Sequence, residues 1–222
     1  MKKYLVLFFG ISTSISLFSQ SNPMNFYTNG NAFYKSRNYE KAILNYSELI
    51  KTTDESLVIK TGHINRGLSK MHAEYLNEAK KDFHYVVLIN SNEKMTENAF
   101  YWLSQINYKL GQMENVIANC NVFLRSNPSD SEMYFMRASA YSMMQNFDKS
   151  IKDYSKVIEL YPASYQAYAN RGVAKINSLT GNGNIQPSRK ETKSACKDLR
   201  KAKKMGDFTV GDMIYIYCEK KK

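Results

Sequence analysis

The sequence predicts an all-α fold: a solenoid of about five helix pairs closed by a C-terminal capping helix. Three observations carry this expectation. A small residue is followed twelve positions later by Ala, Val or Ser, and four later by an aromatic or large apolar residue: Gly30–Ala42–Tyr46, Gly67–Ala79–Phe83, Ser104–Val116–Cys120 and Ala138–Ser150–Tyr154. A fifth copy, Gly172, Ala195 and Leu199, has the same parts stretched by eleven residues. An internal repeat of this period decides architecture before any single residue does. Within each copy the apolar residues fall at helical spacing. Finally, the 222 residues contain only 10 Gly and 4 Pro, which suits helices, and 43% hydrophobic with 23% charged residues is an ordinary globular balance.

In chain order, residues 1–19 stand apart. Lys2 and Lys3 precede an apolar run from Tyr4 to Phe18, then Ser19-Gln20-Ser21. This is the pattern of a signal peptide cut after Ser19, with an uncleaved signal anchor as the alternative. The run is short for a membrane span, which needs about 20 apolar residues, and no later segment approaches that length. No Cys near the cut could carry a lipid anchor. Export to a periplasmic or extracellular, oxidising space is the expectation.

Residues 20–222 form the repeat domain, with units near 23–56, 60–93, 97–130, 131–164 and 165–206. Counted from each start, position 4 holds Phe26, His63, Phe100, Tyr134 and Tyr168, and position 24 holds Tyr46, Phe83, Cys120, Tyr154 and Leu199. Junctions at Asn38-Tyr39, Gln112-Met113 and Asn146-Phe147 divide helix A from helix B. The small residues at positions 8 and 20 are expected to face each other, letting two antiparallel helices cross closely. Pro128 and Pro162, at position 32, end helix B. Units one and two lack this proline and are each followed by three extra residues. Unit five carries an insertion near 178–190, with Gly181-Asn182-Gly183 and Pro187, expected to be a mobile loop. After Gly206, the spacing of Val210, Met213, Ile214 and Tyr217 predicts an amphipathic capping helix over 208–219, covering the apolar side of the last unit.

A second regularity runs through the units. Position 7 is Arg66, Arg137 and Arg171 in units two, four and five, where position 23 is Asp82, Asp153 and Asp198. Units one and three have Asn29 and Leu103 at position 7, with Asn45 and Asn119 at position 23. Arg occurs only where Asp occurs, so an Arg–Asp bridge between the helices of one unit is expected.

These positions resemble the tetratricopeptide repeat, whose pattern is aromatic at 4, small at 8 and 20, aromatic at 24 and proline at 32. The best match is the fourth unit, Tyr134, Ala138, Tyr141, Ser150, Tyr154 and Pro162. The resemblance covers about residues 23–205 and implies a right-handed α-solenoid whose inner groove is lined by helix A. By that resemblance the groove would hold Tyr27, Asn31 and Tyr34; Ile64, Leu68 and Met71; Tyr101, Gln105 and Tyr108; and Phe135, Ser139 and Ser142. Family members that clamp a terminal carboxylate place Lys at position 5 of the first unit; Tyr27 stands here, so an aromatic and amide groove is implied instead. The ending, Ala-Cys-x-Asp followed by Tyr-Cys, resembles a variant of the family and implies a Cys196–Cys218 disulfide. Cys120, at position 24, reads as a packing residue.

No catalytic or metal constellation is present. His63, His72 and His84 lack ligand spacing, and Ser91-Asn92-Glu93-Lys94 matches a Ser-x-x-Lys motif without its companions. No cofactor motif is found. The net charge of +11 is uneven: Gln186–Lys222 contributes eleven Lys/Arg against five Asp/Glu. Such an end can serve simply as a solvated face, or it can draw anionic partners. The expectation is therefore a non-enzymatic scaffold, monomeric, holding a protein or peptide in its groove. The alternative is a binder of an anionic polymer or membrane surface through the basic end; nucleic acid is the less expected form of such a partner.

Overall fold

The computed structural model describes residues 22–89, 94–181, 183 and 186–219. The leader 1–19, and Ser91 to Glu93 of the Ser-x-x-Lys stretch, lie outside the described residues. Ten helices alternate as A and B partners: α1 (Pro23–Lys35) and α2 (Tyr39–Lys51), α3 (Ser56–His72) and α4 (Leu76–Ile89), α5 (Lys94–Lys109) and α6 (Met113–Ser126), α7 (Ser131–Met143) and α8 (Phe147–Leu160), α9 (Tyr165–Gly181) and α10 (Arg189–Lys204). Each helix packs on the one before and the one after it. The A helices also touch one another, α3 with α5, α5 with α7 and α7 with α9, whereas no two B helices approach as closely, which puts the A helices on the inner side of the stack.

One turn joins A to B in each of the first four units. In the first, the Asn38 amide donates to the Phe33 carbonyl and the Arg37 amide to the Tyr34 carbonyl; the Asn38 side chain then accepts from the Lys41 amide and opens α2. The first pair of bonds is a Schellman stop, which needs a left-handed residue at its centre. That residue is Arg37, Glu74, Gly111 and Gln145 in the four units, with φ of 60°, 61°, 72° and 58°. Only unit three uses the residue without a steric cost there. B-to-A turns in the later units contain Pro128 and Pro162 and deliver Asp130 and Ser164 as caps, accepting from the Met133 and Ala167 amides.

The three extra residues after units one and two do not form loops. They lengthen the next A helix at its start, so α3 begins at Ser56 and α5 at Lys94. Helix also claims part of the expected insertion: Ser178 to Gly181 continue α9, with the Thr180 hydroxyl donating to the Ile176 carbonyl. Asn182, Asn184 and Ile185 of the expected loop lie outside the described residues, and α10 opens with a capping box in which Ser188 and Glu191 bond reciprocally.

The small residues work differently from the sequence expectation. A Cβ on Gly30 would lie 2.6 Å from Tyr46, one on Gly67 3.0 Å from Phe83, and one on Gly172 2.8 Å from Leu199. Position 8 is therefore small to seat the large side chain of position 24, rather than chiefly to meet position 20. Ala42, Ala79 and Ala195 sit fully buried beside these contacts. The C-terminal cap is also shorter than expected. A single α turn, α11 (Gly211–Ile214), runs into a π-helical turn, Tyr215–Glu219. Phe208 lies outside it and is 77% exposed. Val210 and Ile214 bury against Ala169, Leu199 and Ala202. A Cys196–Cys218 disulfide, with Cα atoms 5.7 Å apart, ties this cap to α10.

Candidate functional site

Three ion-pair clusters join the A and B helices of units two, four and five. The Arg66 guanidinium donates through Nε and Nη2 to Asp82, at 2.6 Å for the shortest bond. Arg137 forks onto Asp153 at 2.7 and 2.8 Å, and Arg171 onto Asp198 at 2.8 and 2.7 Å. The remaining nitrogen of each, Nη1, reaches the preceding unit: Ser47, Asn121 and Ser155 accept it at 3.1, 2.6 and 3.0 Å. All three acceptors occupy position 25. Each arginine thus links three helices, its own pair and the previous B helix. Lys70 and Lys175, at position 11, add a second cation to Asp82 and Asp198 at 2.7 Å each.

Asp82 is the most enclosed of the three, 2% exposed. Burial pushes its carboxyl up, but hydrogen bonds from His63, Arg66 and Lys70 pull it further down, to about 2. The His63 Nδ1–H donates to it at 2.8 Å while the ring stacks on Tyr85 at 3.9 Å. His63 is thereby part of the scaffold. Among the described residues no group of three His, Cys, Asp or Glu side chains could hold a metal ion. Cys120 is fully buried, and desolvation raises its thiol to about 11, so it is packing rather than a nucleophile.

The groove candidates divide into four groups. Met71 is buried in the core with Ala79, Phe83 and Val86, so it is not available to a partner. Asn31, Ser139 and Ser142 are spent on the pairs themselves: Asn31 Oδ1 accepts from the Tyr46 hydroxyl at 2.7 Å, Ser139 bonds Tyr154 at 2.9 Å, and Ser142 bonds Ser150 at 2.7 Å. Ile64 and Leu68 are half-buried against the unit-two core. The rest face outward in part. Tyr34 forms a ring trio with Tyr39 and His72 at 5.2 to 5.8 Å. The Tyr101 hydroxyl donates to Glu132 at 2.7 Å, and the Gln105 amide donates to the same oxygen at 3.1 Å. Burial and Glu132 raise the Tyr101 phenol to about 12, so it remains a donor. Tyr108 is 38% exposed.

Besides a cleft of about 380 Å³ between residues 144–148 and the end of α9, two clefts open among the described residues. One, of about 410 Å³, lies at the N-terminal end, where Tyr27 joins Pro23, Met24, Leu57 and Val58. The other, of about 600 Å³, runs between Phe135 of α7, helix α9 and the 206–210 turn. Phe135, Val173, Phe208 and Met213 line it with apolar surface, while Gln166 and Asn170 contribute amides. Of the sequence-derived residues only Phe135 belongs to this larger cleft. Unit five was missed, although Gln166, Ala169 and Val173 fill its positions 2, 5 and 9. Phe208 could be suspected only as an aromatic outside the amphipathic stripe of the tail.

Residues 131–164 match the tetratricopeptide repeat family model. Among solved structures, YrrB, a tetratricopeptide-repeat protein with an unusual peptide-binding site, is 18% identical with a TM-score of 0.70, covering 89% of this chain and 93% of that one. MamA from Desulfovibrio magneticus RS-1 is 15% identical with a TM-score of 0.70, covering 82% and 94%. Peptidyl-prolyl cis-trans isomerase FKBP4 from Bos taurus is 21% identical over 140 residues, which are 63% of this chain and 25% of the isomerase. The match thus spans about a quarter of that relative's length.

Proposed function

From the premise that this chain is a tetratricopeptide-repeat protein, we propose that it is a non-enzymatic scaffold that holds a protein or peptide along its A helices. The observation that carries this reading is the 600 Å³ cleft, walled by two A helices and the turn before the cap. It has the make-up of a peptide site: aromatic and aliphatic walls for an anchoring side chain, and amides for a main chain. Phe208, Tyr165 and Tyr108 stand exposed beside it and along the groove, and aromatic side chains supply large contact area at low entropy cost. The peptide-binding site that gives YrrB its description supports the same use of the fold. The favoured ligand is an extended or helical segment with one large apolar anchor. The 131–164 match is to a repeat and brings no catalytic group with it.

The Cys196–Cys218 bridge and the leader pattern of residues 1–19 support an exported location, periplasmic or secreted, because reducing compartments disfavour such bridges. Capping of the C-terminal end supports a monomer. The test is selection of peptides from a random display library on the full chain, followed by titration of those enriched. Phe135→Ala/Phe208→Ala is expected to weaken binding at least tenfold, and Tyr101→Ala/Tyr108→Ala several-fold, with helicity and melting unchanged. Enriched peptides that bind both double variants as well as the parent would refute groove binding.

A further inference from the structure

The five B helices hold equivalent places in the stack, and four are charge-balanced. α2 has two cations and two carboxylates, α4 two and two, α6 one and one, α8 three and three. α10 has eight cations and two carboxylates. Both carboxylates are committed: Asp198 is buried between Arg171 and Lys175, and Glu191 accepts from the Ser188 amide in the capping box. The eight cations, from Arg189 to Lys204, are all exposed. At 3.6 residues per turn they share one arc of about 160°. Among the described residues none of them forms an ion pair. Solubility does not require this concentration, since the other four B helices face solvent without it.

We infer that this face of α10 is a docking surface for an anionic lipid bilayer. Charge complementarity calls for an anionic partner, and what borders the arc selects the class. The π turn Tyr215–Glu219 runs along its edge. Arg189 and Arg200 hold it there by donating to the Glu219 and Cys218 carbonyls, Thr192 by donating to the Tyr217 carbonyl, and the disulfide by its covalent link. The turn presents Tyr215 at 61% and Ile216 at 52% exposure. Beside a row of cations, an aromatic and an aliphatic side chain fit the headgroup–acyl boundary of a bilayer, where apolar burial adds to electrostatic attraction. A nucleic acid offers no such place to Ile216. Six of the eight cations are Lys, compact point charges suited to a diffuse anionic surface; Arg is the residue of bidentate phosphate recognition. The surface is separate from the peptide cleft, which opens on the A side.

The experiment compares partition of the full chain onto vesicles of phosphatidylcholine with phosphatidylglycerol and of phosphatidylcholine alone. The readout is the ratio of the two, in which any apolar contribution of the leader is common and cancels. The wild-type ratio is expected to be well above one and to fall with added salt. Lys193→Glu/Lys197→Glu/Lys201→Glu should lower it at least about 100-fold, and the matching Gln triple variant by a smaller factor. Tyr215→Ser/Ile216→Ser should lower partition onto the anionic vesicles several-fold. Circular dichroism and a thiol count verify that each variant is folded and bridged. A wild-type ratio near one, a ratio unmoved by charge reversal, or insensitivity to the Tyr215/Ile216 change overturns the inference. So does duplex DNA that removes the chain from anionic vesicles at equal phosphate, because that assigns the face to nucleic acid. Phe135→Ala/Phe208→Ala leaves the ratio unchanged if the two surfaces are independent.

Discussion

Asp82 collects three donors in a space that admits almost no water, and its energetics follow from that count. Replacing it with Asn leaves Arg66 and Lys70 charged and enclosed without a counter-charge, which costs about 3–5 kcal/mol. The expected result is a large fall in the urea midpoint for Asp82→Asn. A smaller fall is expected for Asp153→Asn, where Arg137 is the only cation on the carboxylate among the described residues. The pH dependence has a definite sign. The folded carboxyl titrates at about 2, below its ordinary 3.8, so its contribution, about 2 kcal/mol, is complete above pH 4 and disappears as pH falls through 2. Urea melts of wild type and Asp82→Asn should therefore converge in acid. A constant gap down to pH 2 would place the stabilisation elsewhere. The Arg–Asp alternation was readable because both partners vary together among five units. The third arm, to Ser47, Asn121 and Ser155, was equally present in the sequence but joins neighbouring units, so pairing within a unit passes over it.

At the scale of the helix pair, two opposing terms decide what a glycine is for. Ala in place of a helical Gly gains about 0.5–1 kcal/mol in backbone entropy, whereas overpacking a filled core costs about 1–3 kcal/mol. At Gly30 the new Cβ would sit 2.6 Å from a Tyr46 ring that Asn31 holds by its hydroxyl, so the ring cannot swing aside freely. Gly30→Ala should destabilise in thermal melts, while Gly211→Ala, with nothing within 4 Å, should not. The left-handed turn residue gives the complementary case. Gln145→Gly should raise stability by about 0.5–1 kcal/mol, and Gly111→Ala should lower it by about 1 kcal/mol despite open space around its Cβ. Helix pairing and the position-24 residues were legible because burial imposes a period. The partner of the small residue was not, because spacing names which positions are small without saying which large side chain they admit. The helical start of α3 and α5 was hidden for a related reason: three added residues nearly complete a turn and preserve the helix face.

Across the whole molecule, a stack in which each unit touches mainly its neighbours transmits little from one end to the other. The cap is the place to measure this. Its short α turn and π turn hold few backbone bonds of their own, and their attachment rests on Val210, Ile214, a few side-chain bonds from α10 and the bridge from Cys196. Cross-linking residues 22 apart removes about 3 kcal/mol of chain entropy from the unfolded state. If the chain unfolded as one unit, Cys196→Ser/Cys218→Ser would lower stability throughout by that amount. In a nearest-neighbour stack the loss instead concentrates at the last unit. Hydrogen exchange is expected to show amides of α10 and residues 207–217 losing protection by about two orders of magnitude, while α1 to α4 stay within a factor of two. Equal loss in α1 and α10 would show a single cooperative unit. The local outcome has a functional consequence, since residues 206–210 form one wall of the 600 Å³ cleft. Reduction of the bridge should then weaken binding of a cleft-selected peptide without melting the rest of the solenoid, measurable by titrating that peptide before and after reductant.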